Sequence, residues 1–309
     1  MANFKAFMRF AYWAYELKRH GVTHLHAHWA TEATTAAMIF SWLSGLPFSF
    51  TSHAYDIFVS PEYLDRKLAE AQFAITVSEY NKRYLMDQYG SGHESKIHII
   101  RPVIDIRRFT PRPPRSEYQS RLSILSVGRL VEKKGYLFLI EACRILRQRG
   151  IDFVCRIAGE GQDRPLLEDA IKRHGLEMSI DLPGDLPHEA IQPLLEQVTV
   201  FVLPCVIARD GDRDAMPQVL AEAMAREVPV ISTTVVGLGE LVRDGAGLLV
   251  PPRDAQALAD AIERIGSADE ETREVMGKAG RRIVELEFDP QKAVMKLLTL
   301  INEGQRSHV

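Results

Sequence analysis

Cysteine is scarce in this chain: Cys143, Cys155 and Cys205 are the only three, and no C-x-x-C pair occurs. That excludes a zinc ribbon and a disulfide framework, and a reducing compartment fits best. A large excess of charge of either sign is also missing. A formal net charge of -3 over 309 residues gives no general attraction for nucleic acid or anionic lipid, so an anionic ligand has to be held by local groups. Long apolar runs are absent too. The most apolar window, Ala36 to Phe50, is broken by Ser41, Ser44, Gly45 and Pro47 and falls short of the roughly 20 residues a spanning helix needs. Residues 1–20 lack the apolar core and small-residue cleavage site of a secretory signal. Neither G-x(4)-G-K-[ST] nor G-x-G-x-x-G is present, which removes the main support for a kinase or a dinucleotide-dependent enzyme.

What is there is an ordinary globular composition, 46% hydrophobic and 26% charged, enough for two core-bearing domains. Strand-like apolar runs alternate with helical patterns, which predicts parallel sheets built from βαβ units. In the first domain, residues 1–111, strands are expected at Val22–His28, Phe48–Ser52, Ala74–Val77 and Lys96–Ile100. Helices are expected at Thr31–Leu43, Pro61–Ala71 and Glu79–Tyr89. So few strands leave a Rossmann-like sheet short of its opening βαβ, and the domain is expected to be incomplete at its front. The stiff segment Arg112-Pro113-Pro114-Arg115 marks the domain boundary. From 112 to 288 the pattern gives six βα units, a complete doubly wound sheet. A break at Asp289-Pro290 precedes a last helix, 289–309, expected to pack back toward the first domain.

The first twenty residues are dense in aromatics, Phe4, Phe7, Phe10, Tyr12, Trp13 and Tyr15, with Lys5, Arg9, Lys18 and Arg19 between them. Rings at helical spacing usually pack into a core, and that is the favoured reading; peripheral contact with a membrane surface is the other.

Three strand ends carry the chemistry. The stretch Asp214-Ala-Met216-Pro217 through Glu222 opens a helix, with Pro217 suited to its first position and Asp214 just before it. Free amides at a helix start can hold phosphate, and flanking carboxylates suit sugar and ribose hydroxyls. A second stretch, Gly128-Arg129 to Lys134-Gly135, leaves a strand and enters a helix. It offers two cations at the edge where open α/β sheets bind ligands. A third, Gly159-Glu-Gly161, turns the chain sharply near the same edge. Positive charge, free amides and two carboxylates match a nucleotide diphosphate-sugar. The plainer readings are a capped helix with a solvated glutamate and a solvated basic turn.

The order G-R-L-x-x-x-K-G, G-x-G, then an acid with seven residues between it and a glutamate and A-M-A-x-x-x-P-V-I, resembles glycosyltransferase family 4, over roughly residues 20–300. The resemblance implies a GT-B-like α/β fold, two Rossmann-like doubly wound domains facing a cleft, the first of them incomplete here. It implies retaining, metal-independent transfer of a hexosyl group from a UDP- or GDP-sugar to a saccharide or lipid-linked saccharide, with no cofactor. Under it, Gly128, Arg129, Lys134, Gly159, Gly161, Met216, Pro217 and Glu222 bind the donor; Arg129 and Lys134 take the diphosphate and Glu222 the ribose. Asp214 stands where the family has a glutamate facing the donor sugar, and the familiar glycine two residues before the proline is Ala215 here. Ser52-His53-Ala-Tyr-Asp56 resembles the family's His-bearing loop, which makes His53 catalytic with Asp214 and gives Asp56 the task of steadying the loop. His24, His26 and His28 alternate along one strand, which invites a metal reading; no carboxylate nearby completes such a set, so none is assigned. The activity expected is polysaccharide or envelope-glycan synthesis in the cytoplasm, at or near the inner membrane face. The alternative is a catalytically weak chain that binds a nucleotide-sugar.

Overall fold

The computed structural model describes the backbone of residues 2–111 and 121–306 and the side chains of 8–111 and 121–303. The Arg112–Arg115 segment, and the rings of Phe4 and Phe7, lie outside the described residues. The chain divides into two compact units. One comprises the residues up to Arg101, the short segment Asp210–Ala215 and the residues from Gln291 onward; the other comprises Pro102–Arg209 and Met216–Pro290.

The first unit runs α1 (Ala2–Arg19), β1 (Leu25–His28), α2 (Glu32–Ser44), β2 (Phe48–Thr51), α3 (Tyr55–Phe58), α4 (Leu64–Glu70), β3 (Phe73–Thr76), α5 (Glu79–Tyr89) and β4 (Ile97–Ile99). All pairings are parallel and the strands lie in the order β1-β2-β3-β4. Every crossover therefore advances in one direction, and right-handed crossovers then put their helices on one face. The sequence pattern agrees. Ala27, Phe48, Phe50, Ala74 and Ile97 point to that face and meet Ala37, Met38, Leu64, Leu68 and Leu85 in one core. The opposite face carries His24, His26, Ser49, Thr51 and Phe73, with the exposed His26 at its surface. His24 stacks on Phe73 at 5.7 Å between centroids and hydrogen-bonds Ser49 Oγ at 2.7 Å. Gln72 Nε2 donates to Leu300 O, and Lys296 Nζ to Ile99 O, which ties the C-terminal helix to β3 and β4. On α1, Ala14 is buried and Phe10 packs on Phe40 at 4.9 Å, but Tyr12, Trp13 and Tyr15 are exposed. Those three rings thus depart from the expected packing.

The second unit contains β5 (Leu122–Val127), α6 (Tyr136–Gln148), β6 (Phe153–Ala158), α7 (Arg164–Arg173), β7 (Ile180–Asp181), α8 (His188–Gln197), β8 (Val200–Val202), α9 (Gln218–Ala225), β9 (Val230–Thr233), α10 (Leu238–Leu241), β10 (Gly247–Val250), α11 (Ala255–Ser267) and α12 (Glu270–Glu287). The final helix, α13, spans Pro290–Arg306. The strand order β10-β9-β8-β5-β6-β7 is a doubly wound sheet whose direction reverses between β5 and β8, the switch point at which such sheets hold ligands. Helix α6 shows why its boundaries follow from sequence. Leu139, Cys143 and Leu146 recur at helical spacing and are buried. Gly150, at φ 75°, lets the chain leave the last turn while Ile151 N bonds Leu146 O.

Candidate active site

At the carboxyl end of β5 the chain passes through Gly128, Arg129 and Leu130 and is locked to the loop after β6 by main-chain bonds. Gly128 N donates to Ala158 O at 2.9 Å, Leu130 N to Glu160 O at 2.8 Å, and Asp163 N to Leu130 O at 3.0 Å. Two backbones this close leave no room for a side chain. A Cβ on Gly159 would stand 2.0 Å from Gly128 O, and one on Gly161 would stand 2.3 Å from Leu130 O. These glycines shape the loop pair by letting it interlock. Gly135 does the same toward β8, where a Cβ would meet Pro204 O at 1.9 Å; alongside, Val206 N donates to Lys133 O at 2.9 Å.

Lys134 lies over this turn. A Cβ on Gly128 would meet the Lys134 Cε at 3.2 Å and Nζ at 3.5 Å, and the Tyr136 hydroxyl at 2.9 Å. Arg129 is exposed and, among the described residues, its side chain makes no hydrogen bond or ion pair. Elsewhere the unit's arginines are mostly paired, as Arg149 with Asp260 and Arg164 with Glu160. Helix α9 begins one residue later than expected. Pro217 is its N-cap, at φ -70° and ψ 118°, and Gln218 is the first helical residue. Met216 and Pro217 are buried. Glu222, within the helix, is half-buried, and its carboxylate has no hydrogen-bond partner among the described residues. Burial raises its pKa above the ordinary carboxylate value, with nearby His188 opposing. A carboxylate so placed lacks the donors that would compensate its desolvation.

Asp214 falls in the first unit, with the short segment 210–215, while Met216 begins the return to the second. That segment is held by Arg213, whose guanidinium lies 4.4 Å from the Phe58 ring centroid.

His53, also in the first unit, is fixed at every polar main-chain position. Its N–H donates to Asp56 Oδ1 at 2.8 Å and its carbonyl accepts from Asn81 Nδ2 at 2.9 Å. Its Nε2 stands 2.8 Å from His28 Nε2, and its ring centroid is 4.5 Å from that of Trp29. Burial, and secondarily His28, lowers its pKa to about 4, so the ring is neutral near pH 7. Asp56, fully buried, also accepts from Ala30 N at 2.7 Å; burial raises its pKa against the pull of those backbone donors. Lys67, fully buried as well, donates to the carbonyls of Ala30, Thr31 and Glu62 at 2.8, 3.1 and 2.7 Å.

The loop after β1 is thus held by an acid and a base, and it carries Trp29 at φ 78°. A non-glycine residue there costs about 1–3 kcal/mol and persists only where surrounding bonds impose it. Sequence reasoning did not find Trp29, Lys67 or Asn81, nor the pairing of His28 with His53. The one legible signal was Lys67 at i+3 from Leu64 and beside Leu68, on an otherwise apolar helix face. Among the described residues no group of three or more His, Cys, Asp or Glu is arranged to hold a metal. No helix among them is long and apolar enough to cross a membrane. Two cavities, one lined by Ser123, Cys155 and Ser179 and another by Thr23, Gly45 and Gln72, include none of the candidate site residues.

The model of the family described as glycosyl transferases group 1 matches residues 109–283. The chain belongs to this family. A protein of Escherichia coli (strain K12) named as a colanic acid biosynthesis glycosyltransferase, WcaL, is 39% identical over 67% of this chain and 51% of its own length. The amylovoran biosynthesis glycosyltransferase AmsK of Erwinia amylovora is 38% identical over 67% and 50%. The chain spans about half the length of these curated relatives. In three dimensions it is similar to a glycosyltransferase from Rickettsia africae ESF-5, with a TM-score of 0.81 at 20% identity over 97% of this chain and 81% of that one. Anabaena HepE in complex with UDP gives 0.80 at 19% identity over 95% and 82%. At these identities the likeness shows the fold, and the fold is GT-B-like with two parallel α/β sheets.

Proposed function

We propose that the chain is a retaining glycosyltransferase that moves a hexosyl group from a UDP- or GDP-sugar to a saccharide or lipid-linked saccharide, in exopolysaccharide or envelope-glycan synthesis. The observation that carries this reading is the switch point of the second unit, where Lys134 overlies Gly128 and the exposed Arg129 has no anionic partner among the described residues. As the anomeric C–O bond breaks, its electron pair goes to the departing diphosphate, and preorganised cations and helix-start amides stabilise that charge. Arg129, Lys134 and the amides of Met216 and Gln218 on either side of Pro217, which carries no N–H, fill those roles at the start of α9 without a metal. Glu222 accepts the ribose hydroxyls. The acceptor hydroxyl bonds to the anomeric carbon on the face the leaving group vacates, and its proton passes to the departing phosphate oxygen. His53, neutral near pH 7, and Asp214 orient the sugar and the acceptor hydroxyl. UDP in HepE and the polysaccharide names of WcaL and AmsK support the substrate classes. Tyr12, Trp13 and Tyr15, exposed on α1 beside Lys18 and Arg19, support a cytoplasmic protein working at a membrane surface that presents lipid-linked acceptors.

The test is calorimetric titration with UDP- and GDP-sugars, followed by mass spectrometry of the nucleotide released in the presence of saccharide acceptors. Heat and release from one donor are expected. Heat without release would leave a nucleotide-sugar-binding chain, and neither would end the donor reading.

A further inference from the structure

Trp29 is an expensive residue for its position. Its φ of 78° suits glycine, and the residue is 43% exposed, so neither backbone preference nor core packing accounts for a tryptophan. The backbone around it is nevertheless fixed throughout. Trp29 N donates to Thr51 O at 2.8 Å, Trp29 O accepts from Thr34 Oγ1 at 2.6 Å, Ala30 N is held by Asp56, and Ala30 O by Lys67. The fully buried Asp56 also holds His53 N, so one carboxylate sets the indole and the His53 ring relative to each other. Beside the indole, His28 and His53 spend their Nε2 atoms on one another, and neither Nδ1 has a hydrogen-bond partner among the described residues.

We propose that Trp29 is a stacking platform for a pyranose ring of the acceptor saccharide, with the free ring nitrogens of His28 and His53 at its edge for the sugar hydroxyls. This rests on the glycosyltransferase reading above. The chemistry is complementary: a pyranose presents a face of C–H groups, which an aromatic face covers, and a rim of hydroxyls, which needs donors and acceptors. A nucleobase also stacks on indole, but the groups assigned to the donor nucleotide belong to the second unit, and Trp29 to the first.

Saturation-transfer difference NMR on the full chain tests it, with the methyl glycosides of glucose, galactose, fucose and glucuronic acid as probes, each recorded together with UDP. Transfer to ring C–H protons of at least one glycoside is expected, weakened about fivefold in Trp29→Ala and kept in Trp29→Phe, as loss of one aromatic stacking contact implies. The UDP signal is expected to be equal in all three proteins. If Trp29→Ala loses its cooperative thermal transition, Trp29→Gly, which suits the backbone, replaces it. No transfer to any glycoside, an undiminished signal without the ring, or a parallel loss of the UDP signal overturns the proposal. Absence of the UDP signal alone, with glycoside transfer still dependent on Trp29, sinks the donor reading and leaves the platform standing.

Discussion

The Nε2 atoms of His28 and His53 face each other at 2.8 Å, so in the neutral pair one carries hydrogen and the other accepts it. The contact leaves room for one added proton on the pair but not for hydrogen on both facing nitrogens. It sits at the end of a row in which His26 Nδ1 meets Ser49 Oγ at 2.8 Å and His26 Nε2 meets Thr51 Oγ1 at 3.0 Å.

Acid should therefore weaken the first unit. Burial lowers the pKa of His53 and of His26 to about 4, from 6.5, and shifts His24 and His98 downward as well. Between pH 6.5 and 4 the unfolded chain binds protons that the folded chain refuses, so stability rises with pH through that window and falls on acidification. Asp56 and Glu222, with raised values, act in the opposite sense as they protonate. Urea midpoints measured from pH 7 to pH 4 are expected to decline, and less steeply in His53→Gln. A flat profile would contradict the shifts.

The clamp around the Trp29 loop predicts large losses from single changes. Asp56→Ala leaves the amides of Ala30 and His53 without their acceptor, and Lys67→Met strips three carbonyls of their donor. Each should cost about 3 kcal/mol, the penalty for orphaning buried polar groups. Urea denaturation measures it. A loss below about 1 kcal/mol would show that water replaces the clamp.

The second unit was legible in outline because its signals are local. The six βα units expected between 112 and 288 are the six strands β5 to β10, each followed by a helix. The four-residue helix α3 was not foreseen, since so short an element has no period to read. The switch-point glycines were visible as turns, but their reason, the approach of Gly159 to Gly128 O, needs the neighbouring strand. The clamp was the least legible part. Asp56 reaches Ala30 across 26 residues and Lys67 reaches it across 37, and nothing in a linear reading pairs them. Asp214 looked continuous with the α9 start, whereas the chain moves between units at Met216.

Glycine substitutions separate close approach from backbone freedom. Gly159→Ala puts a Cβ 2.0 Å from Gly128 O at φ 143°, whereas Gly175, at φ 62°, has nothing within 4 Å. Gly175→Ala should cost about 1 kcal/mol through φ alone. Gly159→Ala should exceed about 3 kcal/mol, because backbone has to move. It should also weaken donor binding by displacing Arg129. Thermal melts and nucleotide titrations on the two variants check both parts.

Arg129 offers a test with little structural interference, since it is exposed and no described residue depends on its charge. Arg129→Ala should leave the melting temperature unchanged and reduce turnover about a hundredfold, as expected for one preorganised charge at a leaving group. Lys134→Ala should match it in turnover. Full activity in both variants would place the diphosphate elsewhere.

Glu222 should show stability and binding moving in opposite directions. Its half-buried carboxylate has no hydrogen-bond partner among the described residues, and burial raises its pKa. A raised carboxylate value means that ionisation favours the unfolded chain, so Glu222 contributes most to stability below the ordinary glutamate range and least at neutral pH. Glu222→Gln removes that charge and should raise the thermal midpoint at pH 7, with the gain vanishing as pH falls. The same change removes a charged acceptor for ribose hydroxyls and should weaken donor binding about tenfold. Only a carboxylate kept for a ligand predicts both results: a solvated glutamate would change neither, and one tied into the fold would lose stability when neutralised.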